Sequence, residues 1–375
     1  MSMDGLTAYT GARIFDGEAW HEHAALVVDG DRVVSLGPVP EGVGQVVLAG
    51  LLVPGFVDLQ VNGGGGHLIG PGSTVDDLRL VCDTHAAFGA TAVLPTLITD
   101  TVAVTDAVLA AGGAAARQAM PGFLGLHLEG PHLSLARKGA HDPALVRPMD
   151  EADIVRLERA RATLPHLVVT LATESATPEQ IARLVRAGVV VSLGHSDASF
   201  EAASTAIRAG ASMATHLFNA MSQIGNRNPG LVGAALHHGT VSAGLIADGI
   251  HVHPAAIDIA MQAKRGPGRL FLVSDSMSQA GTAMASFTLN GRTIHRAGGA
   301  LRLADGTLAG ADLTMDAAVR WMHRQFGADL GLVLQMAGRF PALAIGDDDL
   351  GRIRPGGRAS FIHLDANLAV QRVWR

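Results

Sequence analysis

Eight short apolar runs recur between residues 51 and 276, with amphipathic helical patterns between them. The runs are Leu51–Val61, Ala92–Ile98, Phe123–Gly130, Leu167–Glu174, Val189–His195, Ser212–Asn219, Ser242–Asp248 and Leu270–Ser276. A strand that is apolar throughout must be covered on both faces, as in a parallel sheet wrapped by helices. Eight such strands close into a barrel, so the pattern predicts an α/β fold, a (β/α)8 TIM-type barrel. The helical segments between the runs include Glu151–Ala160, Pro178–Gly188, which ends on a glycine, and Pro254–Lys264.

The flanks have a different rhythm. Before residue 50, short alternating runs (Ala8–Ile14, Ala24–Val28, Asp31–Leu36, Val46–Leu48) are separated by Asp-Gly, Gly-Asp and Gly-Pro turns. Hairpin character appears in Ala285–Gly310, around Asn290-Gly291 and Asp305-Gly306. Two helical patterns follow, Leu313–Phe326 and Leu330–Arg339, and Gly351–Leu364 returns to alternating strands. Chain ends tend to lie close together, so we expect a small β-sandwich domain built from both termini, residues 1–50 and 346–375. The catalytic barrel then occupies residues 51–345.

Four of the runs carry, at or within three residues of their C-terminal ends, a residue that can bind a metal or carry a proton: Glu129, His195, His216 and Asp275. A parallel barrel gathers its strand ends on one face, which is where barrel enzymes build their sites. One carboxylate and two imidazoles form the donor set used by catalytic zinc and related divalent ions, and three protein donors leave a coordination position open. Buried ionisable groups need a partner or an ion, which sets this group apart from isolated core histidines. Asp275 fits three roles: a base beside the ion, a fourth ligand, or a group that orients the others. His127, two residues before Glu129, faces the same side of its strand and reads either as support for the site or as a hydrogen-bonded spectator.

Composition removes several function classes. The 375-residue chain is 48% apolar and 17% charged, with a net charge of −6, so it can bury a large core and has no general attraction for nucleic acid or anionic membranes. Trp20, Trp321 and Trp374 are not interleaved with basic residues and make no base-stacking platform. The N-terminal Met1-Ser-Met-Asp-Gly-Leu-Thr7 lacks a basic start and an apolar stretch, and no run approaches the roughly 20 residues of a membrane span. A cytoplasmic location is expected. The single cysteine, Cys82, cannot form an internal disulfide and sits in an apolar helical pattern, where it reads as a small core residue or, less simply, as a free thiol.

Several motifs together carry a resemblance: Pro54-Gly-Phe-Val-Asp-Leu-Gln-Val-Asn-Gly63, His127-Leu-Glu-Gly-Pro-His132, Gly194-His-Ser196, Thr215-His-Leu-Phe-Asn-Ala-Met221, Asp248-Gly-Ile-His251 and Val273-Ser-Asp-Ser276. In this order the chain resembles the amidohydrolase superfamily and, within it, the N-acetylglucosamine-6-phosphate deacetylases. The resemblance implies hydrolysis of N-acetyl-D-glucosamine 6-phosphate to D-glucosamine 6-phosphate and acetate. It implies one divalent ion per subunit, Zn²⁺ foremost, held by Glu129, His195 and His216, with Asp275 as general base and then acid. It further implies that His141 polarises the acetyl carbonyl, that Ala140, Asn219, Ala220, Leu308, Ala309 and Gly310 contact the sugar, and that Arg227 and His251 hold the 6-phosphate. The expected assembly is a homodimer in which Arg227 reaches the neighbouring subunit's pocket. Taken alone, Arg227 reads equally as a solvated loop charge.

Many amidohydrolases carry His-x-His at the end of the first strand and bind two metals, whereas this chain has Asp58-Leu-Gln60-Val-Asn62. Neutral amides are poor zinc ligands, so a single ion is expected, with Gln60 near the substrate or the attacking water. The same departure counts against a cyclic amidase, as do the two lysines, Lys138 and Lys264, neither of which ends a predicted strand. The alternatives are a deacetylase of N-acetylgalactosamine 6-phosphate, which differs at one hydroxyl, and a non-catalytic barrel that senses phosphosugars.

Overall fold

The structure is a computed structural model that describes residues 5–375. The expectations about the extreme N-terminus fall partly on Met1–Asp4, which lie outside the described residues.

One sheet has eight strands in sequential order, β1 (Phe56–Val61), β2 (Ala90–Ile98), β3 (Gly125–Glu129), β4 (His166–Leu171), β5 (Val190–Leu193), β6 (Met213–Ala214), β7 (Ser242–Leu245) and β8 (Leu270–Leu272). Every neighbouring pair is parallel. The ring closes just beyond β1 and β8, where Asn62 N–H donates to Ser276 O (2.8 Å) and Asp275 N–H donates to Gln60 O (3.0 Å). This is the TIM-type barrel that the apolar runs predict. Val57, Val93, Leu126, Val168, Val191 and Leu245 are fully buried within one continuous core, and each such side chain contributes about 1.5–3 kcal/mol relative to exposure.

The surrounding helices start and stop on local chemistry. Glu151–Arg161 opens with a reciprocal capping box between Asp150 and Asp153, and Pro178–Arg186 opens with one between Thr177 and Gln180. Beyond the second of these, Gly188 adopts φ 84°, as the expected glycine stop requires. The last expected helix, Leu330–Arg339, instead ends at Ala337, and a further helix spans Arg339–Ala344. Gly338 separates them with φ −129° and ψ −69°, outside helical geometry.

The terminal strands form two sheets. One contains, in order, Arg32–Gly37, Ala25–Asp29, Leu6–Thr10 and Gly44–Val47. The other contains Val370–Trp374, Phe361–Leu364, Leu51–Pro54, Arg13–Phe15 and Trp20–His21, so both chain ends share it. Tyr9, Leu26 and Val28 of the first sheet cluster with Ile14, Leu52 and Phe361 of the second. Trp374 Nε1 donates to Tyr9 Oη at 2.9 Å, tying the last strand to the first.

The run Leu51–Val61 does not form one strand. It divides at Gly55: Leu51–Pro54 pairs with Phe361–Leu364, whereas Phe56–Val61 pairs with β2. Only glycine fits at the division, because a Cβ built on Gly55 would lie 1.9 Å from Thr91 Oγ1, itself bonded to Ser360. Gly55→Ala is therefore expected to destabilise the fold by about 1–3 kcal/mol, the scale of overpacking a tight core. Denaturant unfolding checks this, and a midpoint equal to that of the parent chain would refute it.

The segment after β8 is a four-stranded antiparallel sheet, Ser286–Leu289, Arg292–Ala297, Ala300–Arg302 and Leu308–Ala311. Asn290 and Gly291, with φ 48° and 74°, make its first turn as the Asn-Gly pair predicts. Its apolar face (Phe287, Leu289, Ile294, Leu301, Ala309) packs on Met277, just past the end of β8.

Candidate active site

The C-terminal ends of the barrel strands converge on a cavity of about 370 Å³. Glu129, the last residue of β3, is buried at its floor. Beyond β5, β6 and β8 the chain leaves the ladder in left-handed backbone: φ is 48° at His195, 31° at His216 and 49° at Asp275. Such conformations cost a non-glycine residue about 1–3 kcal/mol each and persist where the surrounding fold imposes them. They explain why the observed strands stop short of the expected ends, since the residues that carry the site turn out of the sheet towards the barrel axis.

Glu129 Oε1 lies 3.2 Å from His195 Nε2 and 3.0 Å from His216 Nε2, and the two imidazole nitrogens are 3.1 Å apart. These separations come within a few tenths of an ångström of the roughly 3.4 Å edge of a tetrahedral donor set around an ion at about 2.1 Å. His195 Nδ1 lies 2.8 Å from Arg137 O, so the hydrogen belongs on Nδ1 and the Nε2 lone pair faces the centre. The three residues fit a divalent ion.

A second, overlapping set consists of Glu129, His141 and His195, whose donor atoms lie within 4.8 Å of one another. The tautomer of His141 separates its chemistry from that of the other two histidines. Thr99 N–H points at His141 Nδ1 at 3.3 Å, and Thr99 Oγ1 lies 2.8 Å from the same nitrogen. A backbone hydrogen is fixed by the peptide plane, whereas the hydroxyl rotates, so Nδ1 accepts and the ring hydrogen sits on Nε2. That nitrogen lies 3.9 Å from Glu129 Oε2, so a donor N–H faces the cavity. Burial, with the neighbouring His195, lowers the His141 pKa to about 3 and keeps the ring neutral.

The two carboxylates are driven apart electrostatically. Burial opposes charge on Glu129, but protonated His195 and His216 would, through their hydrogen bonds and charges, hold its pKa well below the usual carboxylate range, and a cation between neutral imidazoles acts in the same direction. Asp275 rises to about 6 through burial and then through the charge of Glu129. Neighbouring acids with divergent proton affinities divide naturally into a ligand and a proton carrier. Beneath them Asp58, pushed up to about 7 by burial, accepts from the backbone N–H groups of Ser274 (3.2 Å) and Gln60 (3.3 Å), tying β1 to the strand end that carries Asp275.

Most residues expected at the site come together. Ala140, His141, Asn219, Ala220, His251, Leu308, Ala309 and Gly310 line the same cavity as Glu129, His195, His216 and Asp275. Gln60 lies behind the wall, where Nε2 donates to Glu129 Oε1 (3.1 Å) and Asp275 Oδ1 (3.2 Å). His251 Nδ1 contacts Asp248 Oδ2 at 2.6 Å, which leaves Nε2 for a ligand. Arg227 is exposed and does not line the cavity of this chain. His127 bonds Leu59 O (3.1 Å) and Thr170 Oγ1 (2.7 Å) inside the barrel, and burial lowers its pKa to about 4. Cys82 is a core residue whose thiol is pushed by burial to about 12.

Sequence reasoning passed over Thr99, which sets the His141 tautomer, and Arg292, whose guanidinium bonds Ala140 O from the overlying hairpin. Neither carries a local signal, since each acts through a partner more than forty residues away. In the sequence Asn62 stands only within the Pro54–Gly63 motif and the departure from His-x-His, whereas in the fold it lines the cavity and donates to Asp275 Oδ1 at 2.6 Å.

Comparison with known proteins places these features in one lineage. The amidohydrolase family model matches residues 51–374. The chain is 44% identical to an N-acetylgalactosamine-6-phosphate deacetylase from Shewanella sp. (strain ANA-3), covering 87% of this chain and 82% of that protein. It is 34% identical to an N-acetylglucosamine-6-phosphate deacetylase from Haemophilus influenzae, with 92% of each covered. The crystal structure of N-acetylglucosamine-6-phosphate deacetylase from Pasteurella multocida superposes with a TM-score of 0.94 at 34% identity, covering 98% of each chain. Barrel, donor set and matched length agree, and the chain belongs to the amidohydrolase family.

Proposed function

We propose that this chain hydrolyses the acetamide of N-acetyl-D-glucosamine 6-phosphate, giving D-glucosamine 6-phosphate and acetate. The observation that carries the reading is a single cavity holding a carboxylate-diimidazole donor set, a second carboxylate of raised proton affinity and a neutral imidazole N–H. Glu129, His195 and His216 would hold one divalent ion, most simply Zn²⁺, which when bound would supply the Lewis acidity for water activation and for the charge on the acyl oxygen. Gln60 and Asn62 offer amides where two-metal relatives carry imidazoles, which supports a single ion per subunit.

The chain's own groups then account for the proton traffic. Asp275 takes a proton from water as the water oxygen bonds to the acetyl carbon, and it returns that proton to the amine nitrogen as the C–N bond breaks. His141 Nε2–H donates to the acyl oxygen where negative charge develops. Ala140, Asn219, Ala220 and the Leu308–Gly310 segment contact the sugar, and His251 binds the 6-phosphate. Arg227, which is exposed and lies outside this chain's cavity, completes the phosphate site from the second subunit of a homodimer. The terminal segments 1–50 and 346–375, together with the strand Leu51–Pro54 that pairs with Phe361–Leu364, act as one domain beside the barrel. Among the described residues no helix is long and apolar enough to cross a membrane, and a charged sugar phosphate does not leave a cell unaided, so the protein works in the cytoplasm.

The 44% identity to a galactosamine-type deacetylase favours a second reading in which N-acetyl-D-galactosamine 6-phosphate is the better substrate. Acetate release is therefore to be measured on both sugar phosphates, on the unphosphorylated sugars, and with and without a chelator. Loss of the phosphate is expected to lower kcat/KM by at least about 100-fold, because two or more charge-assisted hydrogen bonds of about 1.5–3 kcal/mol each disappear. Equal turnover of the unphosphorylated sugar would remove the phosphate site. No acetate from any of the four sugars would leave a binding protein.

A further inference from the structure

We propose that Asn62 is a positioning residue that gives the two oxygens of Asp275 different tasks, an inference that rests on the deacetylase reading. Asn62 Nδ2 donates to Asp275 Oδ1 at 2.6 Å, and Gln60 Nε2 donates to the same oxygen at 3.2 Å. Oδ1 thus carries two N–H bonds, while no donor among the described residues bonds Oδ2. An oxygen whose lone pairs are engaged by two donors is the weaker base, so the proton from water goes to Oδ2 and leaves from Oδ2 to the amine nitrogen.

The orientation of the Asn62 amide is not arbitrary. Turned over, it would set its carbonyl oxygen 2.6 Å from a carboxylate oxygen, with lone pairs facing. As it stands, Nδ2 is used and Oδ1 finds no donor among the described residues, although the residue is only 3% exposed. Buried asparagines kept for packing normally satisfy both ends. Here one end is used, and it is the end that meets Asp275. The backbone makes the same connection, because Asn62 N–H donates to Ser276 O, the residue after Asp275.

The arrangement also gives the amides at the end of β1 a purpose. Gln60 Nε2 bridges Glu129 and Asp275, two carboxylates that repel one another, and Asn62 adds a second N–H at Asp275. Neutral donors thereby hold the proton-carrying carboxylate in place without a second ion, and without a second ion's tendency to strip Asp275 of its proton affinity.

The test uses Asn62→Leu, which keeps volume but removes the donor, and Asn62→Asp, which keeps shape but replaces the donor by an acceptor. In both, KM for the better of the two sugar phosphates should stay near the parent value while kcat falls about 10- to 100-fold, as for other partners that orient a site group, and in Asn62→Leu, which adds no ligand, bound metal per chain should also stay near the parent value. Adding Asn62→Leu to Asp275→Asn should cost little further in kcat, because both changes remove one function. Crystals of either variant should show the Asp275 carboxylate rotated from its parent orientation. A kcat within twofold of the parent, a rise in KM alone, additive losses in the double variant or an unmoved carboxylate would each overturn the inference. If the parent chain cleaves neither sugar phosphate, the deacetylase reading fails, and the carboxylate orientation in the variant crystals still decides whether Asn62 positions Asp275. Should Asn62→Leu fail to fold, Asn62→Asp carries the test.

Discussion

Replacing Asp275 by asparagine is expected to lower kcat by about 10²- to 10⁴-fold, the range that a positioned general acid-base group contributes, while leaving bound metal near its parent level. The asparagine keeps the shape of the side chain but can neither accept the water proton nor return it to the amine. A turnover assay beside elemental analysis checks both halves, and near-parental kcat would remove Asp275 from the reaction. Two pH effects accompany the loss. With its pKa raised to about 6 by burial and by Glu129, Asp275 is active as a base only when deprotonated, so kcat/KM of the parent falls as pH drops through that region. A bound cation moves this limb lower still, because a neighbouring positive charge favours the carboxylate, and the asparagine variant should lack the limb.

The stability consequence has the opposite sign. The folded chain holds the Asp275 proton more tightly than a free aspartate of pKa 3.8 would. The associated penalty is absent below the unfolded pKa, grows as pH rises between the two values, and is fully present above about 6. In metal-free protein at neutral pH, Asp275→Asn should therefore melt at a higher temperature than the parent, an exchange of activity for stability common at active sites. A lower melting temperature under those conditions would contradict the assignment of burial as the dominant cause.

The second large effect concerns Glu129. Glu129→Gln replaces the carboxylate between His195 and His216 by a neutral amide, a poor ligand for a hard or borderline divalent ion. Metal affinity should fall by at least the 10- to 100-fold typical of losing a mere supporting partner, and acetate release should fall with it and recover in part when excess metal is added. The variant leaves two imidazole nitrogens 3.1 Å apart with no anion between them, so unlike the Asp275 change it should not stabilise the metal-free fold. Full metal occupancy after dialysis, measured by elemental analysis, would exclude Glu129 as a ligand.

Much of this is legible in the sequence. Apolar runs repeating with helical segments imply strands covered on both faces, and parallel strands of that kind have few ways to close, so the barrel follows from the hydrophobic pattern alone. The same logic brings Glu129, His195, His216 and Asp275 to one face, because each stands at the same end of its strand. Burial without a partner is too costly for four ionisable side chains, which makes shared chemistry the economical reading of that placement.

Other features depend on contacts that no local pattern encodes. The need for glycine at position 55 is set by Thr91, thirty-six residues along the chain, and β6 shrinks to Met213–Ala214 as His216 turns left-handed into the cavity. The tautomer of His141 depends on the peptide plane of Thr99, and the two bonds at Asp275 Oδ1 come from the opposite side of the barrel seam. Periodicity reports which face of an element is buried. Which atom meets which, and therefore which nitrogen carries its hydrogen and which oxygen takes the proton, is settled by long-range packing, since hydrogen bonds act over about 3 Å and are formed between residues that the chain itself holds far apart.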